Sequence, residues 1–418
     1  MSWLPSPKNG PRPASRLVAG LVALVSLLAP VSSAADQRGP EPGGRWTVAW
    51  SSAMGEGIQA NLPAGPYTLR QSVRVTASGP AVRVRLSNVF GDAPVTFGQV
   101  TVAHSTGVGS ATPVGGTLRR LAFAGSPAVT VPVGRDVTSD PVPLRMVSGG
   151  ELLVSVYVAR PPKLVSTHPQ GYQVTWLADR GDHAADPGPG AFTPRRSYYF
   201  LTGVDVDADP RLGAVVAMGD SITDGFGATH NRNLRWSDQL ADRLRAGPAD
   251  SRYAVANVGL GGNQLLYYGT ATDSGRGTAG VQRLERDVLS RSGVRSLVLF
   301  LGFSDLMRVP SPPNERIQDG YRQVVARGHA AGIRVVGATL VPFGAYRKHT
   351  PELERRRLAL NQWIRTSGVF DAVADFDAVL RDPAAPHRMR AEYDCGDGMH
   401  PGNEGYRVMA QAVPVAGL

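Results

Sequence analysis

The sequence predicts two unlike parts in one chain. An all-β sandwich domain spans residues 40–206, and an α/β domain with a doubly wound, five-stranded parallel sheet spans 212–418. Three observations predict this. Hydrophobicity repeats every second residue in the first part and changes to strand–helix alternation in the second. Gly (49) and Pro (33) are abundant without a collagen-like period, so turns are many. The 418-residue length suits two or three domains with a sizeable core, and 42% apolar against 19% charged residues excludes a disordered chain or a coiled coil.

The first 35 residues read as a cleaved signal peptide. Lys8, Arg12 and Arg16 precede the apolar stretch Leu17 to Val31, and Ser32-Ser33-Ala34-Ala35 supplies small residues for cleavage. The stretch is short for a membrane span. Secretion is therefore expected, with no stable membrane insertion after cleavage. A single cysteine, Cys395, excludes an intrachain disulfide and multi-cysteine metal sites. The net charge is +10, but the arginines are scattered among apolar residues. The longest run, Arg355-Arg356-Arg357, reads as a solvated helix face, so nucleic acid is not an expected partner.

In the first part, Val82, Val84 and Leu86 alternate with Arg83, Arg85 and Ser87, and Leu152, Val154, Val156 and Val158 alternate likewise. Further strands are expected at 68–75, 95–102, 141–146, 172–177 and 197–204, with one face buried and the other polar. Asp205-Val206-Asp207-Ala208-Asp209-Pro210 reads as a solvated linker. It starts like a calcium loop, but Pro210 and Val216 stand where that loop needs Gly and Glu.

In the second part, strands are expected at 214–218, 253–258, 296–301, 333–340 and 371–376. Helices follow at Trp236-Leu240-Leu244, Val281-Leu284-Val288-Leu289, 317–331, 352–366 and from Asn403. Ligands of such sheets bind beyond the carboxyl ends of the strands. Chemistry-bearing residues fall there. Ser221 ends the first strand in Gly219-Asp220-Ser221-Ile222-Thr223-Asp224-Gly225. Gly259-Leu260-Gly261-Gly262-Asn263 ends the second, and Gly302-Phe303-Ser304-Asp305 ends the third. Asp397 and His400, three apart, precede the last helix. A serine nucleophile needs a base, and the base an orienting acid; all three types are present. Taken alone, each motif reads as a helix cap or a turn.

Together, in this order, the motifs resemble the SGNH, or GDSL, hydrolase family, whose sheet is flavodoxin-like. The β-part, with Thr68-Leu69-Arg70-Gln71 and Arg85-Leu86-Ser87-Asn88, resembles the N-terminal half of secreted actinobacterial GDSL proteins. The resemblance implies a serine esterase: Ser221 as nucleophile, His400 as base, Asp397 as its orienter, and oxyanion donors at the Ser221 N–H, the Gly262 N–H and position 304. Ser304 stands where the family has asparagine, and a hydroxyl is shorter than a carboxamide. That substitution motivates an alternative, a weakly active or non-catalytic glycan-binding protein on the same fold.

No cofactor is expected. No metal is expected either, since there is no His-Glu-x-x-His pair. The expected substrate is a small-molecule or polysaccharide ester, such as an O-acetyl or short-acyl ester of an extracellular glycan. His104, His168, His183, His230, His329, His349 and His387 lack a matching carboxylate spacing, and His230 reads as a surface residue. Tyr267 and Tyr268 read as pocket or packing residues, Cys395 as structural.

Overall fold

The computed structural model of the chain describes residues 46–58, 62–248, 253–269 and 277–418; the leader expected at 1–35 lies outside them. The first part is built from antiparallel sheets. One sheet runs Trp46–Ser51, Leu201–Asp207, Gly79–Ser87, with Asp136–Thr138 and Val142–Met146 both pairing Gly79–Ser87. A second runs Thr193–Arg195, Thr175–Ala178, Tyr67–Arg74, Glu151–Arg160, Val95–His104, the last also pairing Arg119–Arg120 and Val129–Val131. A small third sheet joins Tyr198–Tyr199, Val165–His168 and Gly55–Ile58.

Alternation holds on Gly79–Ser87, where Val82, Val84 and Leu86 are buried and Arg83 and Arg85 are half-buried. It fails on the central strand Glu151–Arg160, whose residues 152–156 are all buried. The expected polar face is covered there. Arg70 reaches across it, and its five N–H groups meet Ser155 Oγ and the carbonyls of Ala111, Gly188, His183 and Asp186. A guanidinium has five donors and no acceptor, so this buried arginine is fully satisfied.

The expected linker also differs. Asp205 and Asp207 belong to the strand Leu201–Asp207, and Asp205 is buried against Arg83 Nε (2.9 Å) and Ser292 Oγ (2.8 Å). Alternating aspartates resemble a loop in sequence, but period two is also the period of a strand.

The second part has strands β1 (Gly213–Gly219), β2 (Tyr253–Asn257), β3 (Val294–Phe300), β4 (Arg334–Ala338) and β5 (Ala372–Ala374). They are parallel, in the order β2-β1-β3-β4-β5. β1 and β3 are central, and their near-continuous apolar runs are buried on both faces. The strand order reverses between them, which opens a crevice at their carboxyl ends. Helices α1 (Ser221–Asp224), α2 (Trp236–Ala246), α3 (Gly280–Leu284), α4 (Phe303–Leu306), α5 (Asn314–Ala330), α6 (Pro351–Thr366), α7 (Phe376–Leu380) and α8 (Asn403–Ala412) connect and cover the sheet. Among the described residues, no helix is long and apolar enough to cross a membrane.

The Arg355–Arg357 run is not a solvated face. Arg355 is exposed, but Arg357 is fully buried, bonded to Asp377 Oδ1 (2.6 Å), Glu354 and the Leu340 carbonyl. Consecutive helix residues point about 100° apart, so one run of three samples both water and core.

The two parts share one continuous core. Trp46–Ser51 packs beside β2, and the Thr76 hydroxyl oxygen accepts the Val255 N–H at the edge of β2 (3.0 Å), with the Ala49 and Val255 carbonyls at 2.7 and 2.9 Å sharing its single proton. A strand edge that would otherwise offer unpaired backbone groups is thereby covered.

Candidate active site

β1 delivers Ser221 at its carboxyl end. The Asp220 carboxylate caps α1 by accepting the Ile222 N–H at 3.1 Å, and burial pushes its carboxyl up to about 6. α1 lasts a single turn because Gly225 takes a left-handed conformation (φ 115°), which favours glycine. The chain then turns Phe226 back over the site, and its N–H donates to the Ser221 carbonyl.

Ser221 Oγ lies 2.9 Å from His400 Nε2, and His400 Nδ1 lies 2.6 Å from Asp397 Oδ2. An ionised carboxylate only accepts, so Nδ1 carries the proton and Nε2 presents its lone pair to the serine hydroxyl. Asp397 Oδ1 takes the backbone N–H groups of Met399 (2.9 Å) and His400 (2.8 Å). Burial would raise the Asp397 carboxyl, but the hydrogen bonds and charge of His400 outweigh it and hold the group well below the usual carboxylate range. Its loop is braced in turn by Asp394 Oδ1, which accepts the N–H groups of Gly396, Asp397 and Gly398. The Phe226 ring lies 4.3 Å from the His400 ring and is 46% exposed, so it forms an apolar wall on the solvent side of the base.

The glycine loop after β2 lies against α1. Gly259 has no room for a side chain, since a Cβ there would sit 2.3 Å from the Asp224 nitrogen. The Leu260 N–H donates to the Gly219 carbonyl, and the Gly261 N–H to Asp224 Oδ2 at 2.9 Å. Among the described residues, the N–H groups of Ser221 and Gly262 meet no protein acceptor. Ser304 lies in α4, 9% exposed, and no hydrogen bond joins it to Ser221, Gly262 or His400 among the described residues. Its neighbour Asp305 is fully buried, accepts the N–H groups of Leu265 (2.6 Å) and Leu266 (2.9 Å), and is pushed up to about 6 by burial.

Several residues here escape sequence reasoning. Arg283 is a buried strut: it donates to the Gly219 and Val258 carbonyls and to Asn263 Oδ1, joining the ends of β1 and β2 to the glycine loop. Its only signal was its place on an apolar helix, where a buried arginine is not anticipated. Four histidines read as lacking a matching carboxylate spacing lie beside a carboxylate: His168 meets Asp224, His183 meets Asp186, His329 meets Asp371, and His349 Nε2 lies 4.0 Å from Glu354. Two of these pairs are distant in sequence, so spacing could not reveal them. His230 is half-buried, stacked on Tyr172 at 5.0 Å, rather than a free surface residue. Tyr267 lies under the Arg308 guanidinium, and Tyr268 is exposed. Cys395, read as structural, is a free and exposed cysteine whose thiol packs against Gly227. Its thiol is pushed up to about 11 by burial and by Asp397 and Asp394, which makes it a poor nucleophile. Among the described residues one group could hold a metal ion, Asp394, Cys395 and Asp397, but both carboxylates are already engaged with the loop and His400.

Residues 217–408 match the GDSL-like Lipase/Acylhydrolase family. No curated protein matches the chain. Similar solved structures include a GDSL-like lipase from Bacteroides thetaiotaomicron (18% identity, 48% of this chain and 85% of that one, TM-score 0.36). An aryl esterase from M. smegmatis (16%, 48% and 96%, 0.37) and a carbohydrate acetylesterase from Sinorhizobium meliloti (16%, 48% and 96%, 0.36) are also similar.

Proposed function

From the membership of residues 217–408 in the GDSL-like lipase/acylhydrolase family, which makes the chain a carboxylic ester hydrolase, we propose an acyl-enzyme mechanism with Ser221 as nucleophile. The observation that carries it is the hydrogen-bonded line Ser221 Oγ, His400 Nε2, His400 Nδ1, Asp397 Oδ2, at 2.9 and 2.6 Å. His400 takes the hydroxyl proton as Oγ bonds to the ester carbonyl carbon. Asp397 stabilises the imidazolium without itself being protonated. The N–H groups of Ser221 and Gly262 receive the negative charge that develops on the carbonyl oxygen. Collapse breaks the bond to the alcohol, which leaves with the His400 proton. Water then attacks the acyl-serine with His400 again as base, and the acid departs. Position 304 is the third oxyanion position in this reading. Its hydroxyl is too short to act directly and acts through a held water.

The reading extends to a secreted enzyme whose substrate is a short-acyl or O-acetyl ester of an extracellular glycan. The charged, apolar, small-residue order of the first 35 residues supports secretion. Mass spectrometry of secreted protein should find an N-terminus near Ala35 or Asp36; retention of Met1 would overturn the leader. The mechanism is tested with p-nitrophenyl acetate and butyrate and a fluorophosphonate label. Wild type should turn over and label, and Ser221→Ala should do neither. A wild-type protein that neither hydrolyses nor labels would favour the glycan-binding alternative.

A further inference from the structure

We propose that His168, contributed by the N-terminal β-part, is a positioning residue of the ester-cleaving site: as an imidazolium it holds Asp224, and through Asp224 it holds the glycine loop that carries the Gly262 N–H. The inference rests on the Ser221 reading above and deepens it, because it gives the β-part a role in catalysis beyond covering the sheet.

His168 ends the strand Val165–His168 and is 4% exposed. Its Nδ1 lies 2.8 Å from the Ala53 carbonyl, and its Nε2 lies 2.9 Å from Asp224 Oδ1 and 3.1 Å from the Gln170 carbonyl. Carbonyls and carboxylates accept and do not donate. A neutral imidazole has one N–H and one lone pair, so either tautomer would turn a lone pair toward an oxygen. Only the doubly protonated ring satisfies every contact.

The surroundings agree. Burial disfavours the charge, but the charge and hydrogen bond of Asp224 and the two backbone carbonyls outweigh it and raise the His168 pKa above its ordinary value. Asp224 is the charged group that touches the ring, and the Tyr198 ring lies 6.3 Å away. Beyond Asp224, its field also reaches Arg235, Arg283 and Tyr172. Arg235 is committed to Asp238 and Arg283 to Asp287.

Asp224 spans two elements. It lies three residues after Ser221 on α1, and its second oxygen accepts the Gly261 N–H at 2.9 Å, one residue before Gly262. When His168 loses its proton, Asp224 loses the counter-charge beside it, and its hold on the loop weakens. The oxyanion donor is then less well aimed. Such a donor acts on charge that develops in the transition state, so the loss falls on kcat rather than KM.

The experiment measures kcat and KM against pH, from about 6 to 10, with p-nitrophenyl acetate and blank subtraction. Wild type, Ser221→Ala and His168→Gln are compared, with circular dichroism at each pH. At neutral pH His168→Gln should have about tenfold lower kcat, less than the loss of a whole donor, with KM within about twofold. Wild-type kcat should decline at alkaline pH while the fold persists, and the variant should show no such decline, so the gap between them closes as pH rises. An unchanged kcat, or a gap that stays constant with pH, overturns the proposal.

Should His168→Gln not fold, nitrogen-15 NMR of wild-type His168 decides: two protonated ring nitrogens at neutral pH support the proposal, and one overturns it. Failure of the Ser221 reading looks different, because wild type would then neither turn over nor label. The same NMR measurement would still decide the charge on His168.

Discussion

Asp397 meets His400 twice: one carboxylate oxygen takes the backbone N–H at 2.8 Å, the other the ring Nδ1 at 2.6 Å. The two contacts fix the residue's position and its tautomer together. Asp397→Asn can keep the backbone contact, but its amide can turn a donor toward Nδ1 and favour the wrong tautomer. We expect kcat to fall by about 10²–10⁴ with little change in KM. A fall of less than about threefold would remove Asp397 from the mechanism.

Asp305 supplies a stability test. Burial raises its folded-state carboxyl to about 6, above the ordinary value near 4 that the unfolded chain keeps. The folded state therefore binds its proton more tightly than the unfolded state does. Asp305's contribution is most favourable in acid and is lost as pH rises from about 4 through about 6. The stability of wild type relative to Asp305→Asn, from urea melts, should fall over that window. A relative stability that rises there would reverse the sign and reject the assignment.

Asp377 and Arg355 make a contrasting pair. Asp377 is buried and receives Arg357, Arg365 and Arg381. Asp377→Ala leaves the buried Arg357 charge without its second carboxylate and should cost about 3–5 kcal/mol. Arg355 is exposed, and Arg355→Ala should change stability by less than about 0.5 kcal/mol. Thermal melts of equal size for the two variants would show that burial does not separate these arginines.

In the proposed reading, Ser304→Asn places a carboxamide at the third oxyanion position, so kcat should rise by about tenfold with KM little moved, less than a full donor is worth. Ser304→Ala should lower kcat modestly. An unchanged kcat in folded Ser304→Asn would mean that position 304 does not face the oxyanion.

Much of the candidate site was legible because doubly wound sheets put such residues at strand ends, and those ends read clearly: an apolar run, then glycines and polar residues. Asp397 and His400 are three apart, a spacing short enough to make contact plausible from sequence. Local signals could not supply the rest. His168 follows Val165-Ser166-Thr167 in an ordinary strand, and nothing there marks a partner 56 residues away. Arg355, Arg356 and Arg357 are the same residue type in one run, yet only the rotation of α6 against α7 decides which of them is buried. The covered face of Glu151–Arg160 depends on a loop after residue 180 that folds back over Arg70.

By itself, then, the sequence determined the strand–helix alternation of the second part and the turns at its strand ends, because those depend on neighbours within a few residues. The tertiary structure alone decided that Ser221 and His400, 179 residues apart, lie 2.9 Å from each other, and that a β-part histidine meets Asp224 in the turn that follows Ser221. Such contacts are set by how sheets and helices pack, which fixes distances that separation along the chain leaves open.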